Sequence, residues 1–276
     1  MNAICKYPGG KCYLAKWIVS HFPKHYEELD FVEGCAGMAN VTRAKKRSKT
    51  EVLMEANIDI ACLLETLSDN PVKLQQALKK VSYSENTFAV ALEKLADTAS
   101  GDIFSAAVNV FIVHNMSRGG AGKSFAWSER TRGGLPGDLN AWNQKVECLP
   151  EQAARFRNVT VSCDSVFDTE VTDLDSPNTL FYIDPPYLHE TRNTTKEYGR
   201  FEWTADQHIA FAAIANSLEG YIAISGYGST LYEQLYAGWR VEKKEIPNHA
   251  SQKKTKPTKV ECLWLNYDEK GRKFFA

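Results

Sequence analysis

The chain has 276 residues, 43% of them hydrophobic, enough to bury the core of one large α/β domain or of a domain carrying an insertion. No run of about 18 apolar residues occurs and Lys6, Lys11 and Lys16 break up the N-terminal segment, so neither a membrane span nor a secretory signal is expected. A formal net charge of −1 argues against a nucleic-acid packing protein, and seven scattered cysteines without C-x-x-C spacing argue for reduced thiols in a cytoplasmic setting, with neither a disulfide framework nor a zinc site.

In chain order, Leu14, Trp17, Ile18 and Phe22 fall at helical spacing, which predicts a helix within Lys11–Phe22, ended by Pro23. Leu29–Glu33 reads as a strand, followed by the loop Gly34-Cys35-Ala36-Gly37 and a helix from about Ala39. Glu51–Met54 reads as a second strand and Asp59–Leu67 as a helix, so the chain opens like a doubly wound sheet. Residues 70–157 break that alternation. Pro71–Val81, Glu85–Asp97 and Asp102–His114 carry helical patterns, and Asn115–Gly137 is too rich in Gly, Ser and Arg for a regular helix. This block is expected to be an inserted, mainly helical domain with a long functional loop, leaving 1–69 and 158–276 as the catalytic domain. Strands resume with Val159–Ser162, Thr179–Ile183, Tyr221–Ser225, Trp239–Lys243 and Val260–Asn266, with a helix between Ala205 and Leu218. The expected fold is a Rossmann-like, doubly wound α/β sheet carrying a helical insert.

The most telling residues are Asp184-Pro185-Pro186-Tyr187, directly after the apolar run Thr179–Ile183. Ligands of open α/β sheets bind at the carboxyl ends of strands. A carboxylate, a rigid turn and an aromatic ring placed there suit methyl transfer to the exocyclic amino nitrogen of a planar base. That nitrogen is a poor nucleophile because its lone pair is delocalised. Two acceptors on its N–H bonds favour a tetrahedral nitrogen with a localised lone pair. Asp184 can supply one acceptor and the Pro185 carbonyl the other, since proline keeps its C=O and has no N–H to compete. Tyr187 can stack on the base, an interaction worth roughly 1–3 kcal/mol. The plainer reading is a Pro-rich turn with a helix-capping Asp.

Three more strand ends carry suitable groups. Phe31-Val32-Glu33 runs into the Gly34–Gly37 turn, where glycine allows a tight bend and a close approach to a ligand. Glu55 ends the next strand, where an acid can accept ribose hydroxyls, and Asp164 follows Val159–Ser162, where it could hold an adenine amino group. Each acid alone reads as a surface or capping residue. Together they describe a nucleoside-containing cofactor, and with amino methylation that cofactor is S-adenosylmethionine.

With these motifs the chain resembles the Dam-type DNA adenine-N6 methyltransferases over most of its length. Lys6-Tyr7-Pro8-Gly9-Gly10-Lys11 looks like the family's K-W-x-G-G-K box, and Phe31-Val32-Glu33 with Cys35-Ala36-Gly37 looks like its F-V-E-P-F-x-G-x-G loop. Glu55-Ala56-Asn57-Ile58-Asp59 is similar to its D-I-N-x-D, and Glu261-Cys262-Leu263-Trp264-Leu265-Asn266-Tyr267 to its closing E-x-L-x-x-N-Y. Gly34 stands where the family usually has Pro, and Ala39 where it has the last Gly. The resemblance implies that Tyr7 and Lys11 flank the methionine end of the cofactor, with Phe31, Glu33, Gly34, Cys35, Ala36 and Gly37 forming its loop. It implies that Glu55, with Ala56, holds the ribose and that Asp164, with Ser165, holds the adenine. It further implies that Asp184, Pro185, Pro186 and Tyr187 hold the flipped target adenine, that the product is S-adenosylhomocysteine, and that no metal takes part.

The implied partner is double-stranded DNA, bound by a protein expected to be monomeric in a bacterial or phage-infected cell. Lys6 would reach the DNA. Arg118, Lys123, Arg130 and Arg132, interleaved with Phe125 and Trp127, stand against Glu129 alone, and suit phosphate, guanine edges and stacking. The surrounding glycines are expected to keep that loop pliable. Lys253 and Lys254 offer a second phosphate contact. The target sequence does not carry over, because the segment Asn115–Trp127 departs from Dam itself. The alternatives are adenine methylation in RNA, amide methylation in a protein, and a DNA-binding homologue impaired in catalysis.

Overall fold

The computed structural model describes residues 3–97, 102–132, 134–168, 170–192, 194–247 and 258–274. The elements, in order, begin with α1 (Ala15–Ser20), β1 (Asp30–Gly34), α2 (Asn40–Ala44), β2 (Thr50–Met54), α3 (Ile58–Asp69), α4 (Pro71–Leu78), α5 (Glu85–Ala96) and α6 (Ile103–Met116). There follow β3 (Thr131–Arg132), β4 (Leu135–Pro136), α7 (Gly137–Glu147), α8 (Leu149–Ala153), β5 (Thr160–Ser162) and α9 (Glu170–Asp173). The chain closes with β6 (Thr179–Ile183), α10 (Ala205–Ser217), β7 (Tyr221–Tyr227), α11 (Thr230–Leu235), β8 (Arg240–Pro247) and β9 (Thr258–Leu265). Residues 1–15, 37–44 and 55–163 form one compact unit, and residues 16–36, 45–54 and 164–276 a second.

In the second unit the strand order is β2-β1-β6-β7-β9-β8. β1 pairs in parallel with β2 on one side and β6 on the other, and β6 pairs in parallel with β7. β9 runs antiparallel to both β7 and β8. The strand order reverses at β1, so the crevice at the carboxyl ends of β1 and β6 is the topological switch point of a doubly wound α/β fold. β6 is buried at all five positions, as its unbroken apolar run predicts for a strand covered on both faces. Its Phe181 and Ile183 join Val32, Phe211, Ile222, Ile224 and Trp264 in the core of this unit. A buried Lys45–Glu51 ion pair of 2.6 Å braces the start of β2, with the ammonium 4.2 Å above the Phe31 ring.

The first unit is mainly helical. α3 and α5 are opened by side-chain caps from Asn57 and Ser84, and α6 by Asp102, each satisfying an otherwise orphaned backbone donor. Trp142 and Val146, four residues apart on α7, are buried, with Trp142 edge-on to Phe111 of α6 at 5.5 Å.

Several expectations are corrected. The first helix is confined to Ala15–Ser20, and the second begins at Asn40 because Ala39 is left-handed, with φ +44°. α7, α8 and α11 lie in stretches read as loop or left unassigned, and β7 and β8 extend to Tyr227 and Pro247. The segment 115–137 carries backbone bonds of its own that the sequence did not signal. Ser117 bridges Phe125, the Arg118 amide donates to the Ser124 carbonyl at 3.0 Å and the Ala126 amide to the Met116 carbonyl at 2.7 Å. β3 and β4 then form a hairpin within it.

Candidate active site

In the second unit, Asp184 follows the last residue of β6, and its amide donates to the Gly34 carbonyl at the end of β1, at 3.2 Å. The register pairs Gly34 with Ile183, so the glycine turn and the Asp-Pro-Pro-Tyr segment leave the sheet side by side. Asp184 is half-buried, and Pro185, Pro186 and Tyr187 are buried. The Tyr187 hydroxyl donates to Glu261 Oε1, and its ring stands edge-on to Tyr227 with centroids 4.7 Å apart. Tyr182, one turn of the pleat before Asp184, hydrogen-bonds Ser225 through its hydroxyl at 2.9 Å. Burial raises the Tyr182 phenol well above its ordinary range, and the Asp184 and Glu33 carboxylates add to the rise. Burial and then the Glu261 carboxylate do the same to Tyr187, so both phenols keep their protons.

The glycine at 34 has a spatial cause. A Cβ there would lie 2.6 Å from both Ile183 Cδ1 and Val166 Cγ1, so two side chains already fill the space that a larger residue would need. Gly34→Ala should destabilise the protein by about 1–3 kcal/mol, the usual cost of overpacking. Adding Val166→Ala should recover part of that loss, which urea melts of the two single variants and the double variant will read; strict additivity would contradict the packing account. Cys35 is left-handed at φ +53°, a strained conformation for a residue with a Cβ, as is common where a backbone is shaped around a ligand. Glu33 is buried, Ala36 donates its amide to the Met54 carbonyl at 3.1 Å, and Asp164 and Ser165 are half-buried just beyond β5. Phe31 is fully buried with Phe22 and Lys45, so its side chain belongs to the core and any cofactor contact from it falls to the backbone.

Behind the Pro-Pro turn stands His208 of α10, 1% exposed, its Nδ1 2.9 Å from the Tyr232 hydroxyl. Burial, with Arg192 and His189 nearby, pushes its imidazole down to about 4, against the pull of the Pro186 carbonyl. An unfolded histidine titrates near 6.5, so between pH 6.5 and 4 the unfolded chain takes up a proton that the folded one refuses. Stability from this residue is complete above pH 6.5 and declines by ~3 kcal/mol as pH falls to 4. His208→Gln should flatten that part of the profile in urea melts between pH 4 and 7; parallel profiles would refute the assignment.

In the first unit the expected cofactor residues Tyr7, Gly37 and Glu55 come together. Gly37 is left-handed at φ +50°, and a Cβ there would lie 3.1 Å from the Tyr7 ring, so both its conformation and its space call for glycine. Glu55, the residue after β2, accepts the Gly37 amide on Oε2 at 2.7 Å and the Asn57 amide on Oε1 at 2.9 Å. Each carboxylate oxygen keeps a second lone pair for a hydroxyl donor, so the ribose role is compatible with its bracing of the loop. Burial raises the Glu55 pKa, and the two amides oppose the rise. Lys11 is buried and donates to the Gly9 carbonyl at 3.1 Å; Ala56 is exposed beside Glu55.

Lys6 is bonded to the end of α6: its amide donates to Asn115 Oδ1 at 3.3 Å and its ammonium to the Asn115 carbonyl at 3.2 Å. The two interleaved aromatics part company. Phe125 packs between Tyr83 and Phe88, at 5.4 and 6.2 Å, and anchors the segment, whereas Trp127 is 48% exposed. Arg118, Lys123 and Arg130 are exposed, and Arg132 lies on β3. The side chain of Arg132 and all of Lys253 and Lys254 lie outside the described residues. The sequence shows Glu261 only as the first residue of the closing segment and carries no signal of its bond to Tyr187, 74 positions away.

Residues 139–253 match the family model of the D12 class N6 adenine-specific DNA methyltransferases, a span that contains Asp184–Tyr187. The match bears out the resemblance drawn from the motifs, and with it methyl transfer as the chemistry. No curated protein matches the chain. Two solved structures of the rRNA methyltransferase aviRa from Streptomyces viridochromogenes are similar to it at 13% and 12% identity. They cover 94% and 96% of this chain and 85% and 90% of their own, with TM-scores of 0.40 and 0.41. Among the described residues no helix is long and apolar enough to cross a membrane.

Proposed function

We propose that the protein transfers a methyl group from S-adenosylmethionine to the N6 amino nitrogen of an adenine flipped out of double-stranded DNA. The observation that carries this reading is Asp184-Pro185-Pro186-Tyr187 at the switch-point end of β6, tied to the glycine turn by the Asp184–Gly34 bond. The Asp184 carboxylate and the Pro185 carbonyl accept the two amino hydrogens, and the Tyr187 ring lies along the base. The cofactor supplies an electrophilic methyl group on a sulfonium. As the amino nitrogen bonds to that methyl carbon, the carbon–sulfur bond breaks, its electron pair leaves with the thioether product, and the proton shed by the nitrogen passes to Asp184. An ordinary carboxylate suffices, because the methylated nitrogen is strongly acidic before it loses that proton.

Tyr7, Lys11, Gly37 and Glu55 would serve the methionine and ribose parts of the cofactor, and Asp164 its adenine amino group. Residues 70–157 would be the target-recognition insert, with Arg118, Lys123, Arg130 and Trp127 on the DNA. Extruding the base costs a few kcal/mol, recovered through phosphate contacts and stacking.

The test is incubation of plasmid DNA with labelled S-adenosylmethionine, followed by nuclease digestion. N6-methyladenine is the expected product; label in RNA or protein alone overturns the reading. Binding to duplex DNA should weaken about tenfold or more between 50 and 200 mM salt, since several phosphate contacts release counterions. An affinity insensitive to salt in a filter-binding titration would remove the DNA contacts assigned here.

A further inference from the structure

We infer that Glu261 is a positioning residue that orients the Tyr187 ring for the target base, an inference resting on the methyl-transfer reading of the Asp184–Tyr187 segment. Glu261 is 1% exposed on β9, directly opposite Tyr227 in the antiparallel register with β7. Its Oε1 accepts the Tyr187 hydroxyl, while the Tyr227 ring stands edge-on to the Tyr187 ring at 4.7 Å and 79°. The two contacts fix different freedoms. The hydroxyl bond fixes the far end of the ring, and the edge contact fixes its tilt. A ring that defines the plane of a base needs both.

The closing E-x-L-x-x-N-Y segment divides its labour accordingly. Asn266 accepts the Ile222 amide at 2.7 Å and donates to the Gly220 carbonyl at 3.0 Å, and Tyr267 donates to the His21 carbonyl at 3.2 Å. These two tie down strand and helix ends. Among the three, Glu261 is the one bonded to the Asp-Pro-Pro-Tyr segment. A carboxylate rather than an amide at this place gives the hydroxyl a charged acceptor, which makes a shorter and stronger bond. Apolar packing alone could hold an aromatic ring in the core; a buried hydrogen bond from its hydroxyl to a carboxylate instead selects one orientation, because the bond forms only where the two groups meet.

The experiment compares wild type, Glu261→Gln, Glu261→Leu, Tyr187→Phe and the Glu261→Leu/Tyr187→Phe pair. Each is assayed for methyl transfer to mixed-sequence plasmid DNA, S-adenosylmethionine affinity by calorimetry and thermal melting. Glu261→Leu should lower kcat about 30-fold or more with cofactor affinity within about threefold, and Glu261→Gln, which keeps an acceptor, should stay within about fivefold of wild type. Tyr187→Phe should cost little further in the Glu261→Leu background. The inference is overturned if folded Glu261→Leu turns over normally, if Gln is as harmful as Leu, or if the two losses multiply. Should the wild type transfer no methyl to DNA, the functional reading falls by itself. The pair is then judged on melting: non-additive losses keep it, and additive losses overturn it.

Discussion

Asp184→Ala should abolish methyl transfer, lowering incorporation of label into plasmid DNA by about a thousandfold or more while cofactor affinity stays within about threefold. The carboxylate does two things that no neighbour replaces. It accepts one amino hydrogen, helping the nitrogen towards a tetrahedral geometry, and it takes the proton shed once the methyl has moved. The Pro185 carbonyl can still accept one hydrogen bond but has no basicity to offer. The fold should survive, because the anchoring bond to Gly34 uses the Asp184 amide and not its side chain. Asp184→Asn keeps the shape and one acceptor and should be equally inactive, since a neutral amide cannot take a proton. Turnover close to wild type in either variant, measured with the same enzyme preparation that binds S-adenosylmethionine, would sink the assigned role.

The largest stability effect is expected at Gly120. Its backbone is left-handed at φ +75°, and a Cβ would lie 2.6 Å from both the carbonyl carbon and the Cβ of Lys6, and 2.7 Å from the Lys6 oxygen. The left-handed conformation costs an alanine about 1–2 kcal/mol, and here the neighbour that must yield is backbone. Gly120→Ala should therefore destabilise the protein by about 2–4 kcal/mol, breaking the seat of the 117–125 turn on the Lys6-Tyr7 box. The His114–Gly120 bond, 2.7 Å from ring Nδ1 to carbonyl, would move with it. Gly119 is the internal control. It is also left-handed, at φ +63°, but nothing lies within 4 Å of its Cβ position, so Gly119→Ala should show the conformational cost alone. Equal melting losses for the two alanine variants would mean that the Lys6 contact contributes nothing.

The strand-end chemistry was legible because it is local. Thr179–Ile183 is an unbroken apolar run, Asp-Pro-Pro-Tyr follows without a gap, and no distant residue is needed to see that a carboxylate and a proline carbonyl leave the sheet together. α7 was readable in principle from the Trp142–Val146 spacing. Its start at Gly137, after Pro136 and without a capping side chain, hid it among loop residues. Nothing in the local sequence marks Ala39 as special, and only its φ of +44° shows that the position is left-handed and that alanine holds it at a cost of about 1–2 kcal/mol.

Composition and order along the chain thus determined the α/β class, the helical block after residue 70 and the identity of the groups at the strand ends. The tertiary structure alone decided that Gly34 is small because Ile183 and Val166 occupy its side, that Phe125 anchors while Trp127 faces solvent, and that Glu261 holds Tyr187. The physical reason is the range of the interactions. Backbone propensity and apolar periodicity act over a few residues and leave their mark in the string itself. The space beside a glycine, the neighbour of a ring and the partner of a buried carboxylate depend on strand register and packing between segments tens of residues apart, which local sequence does not encode.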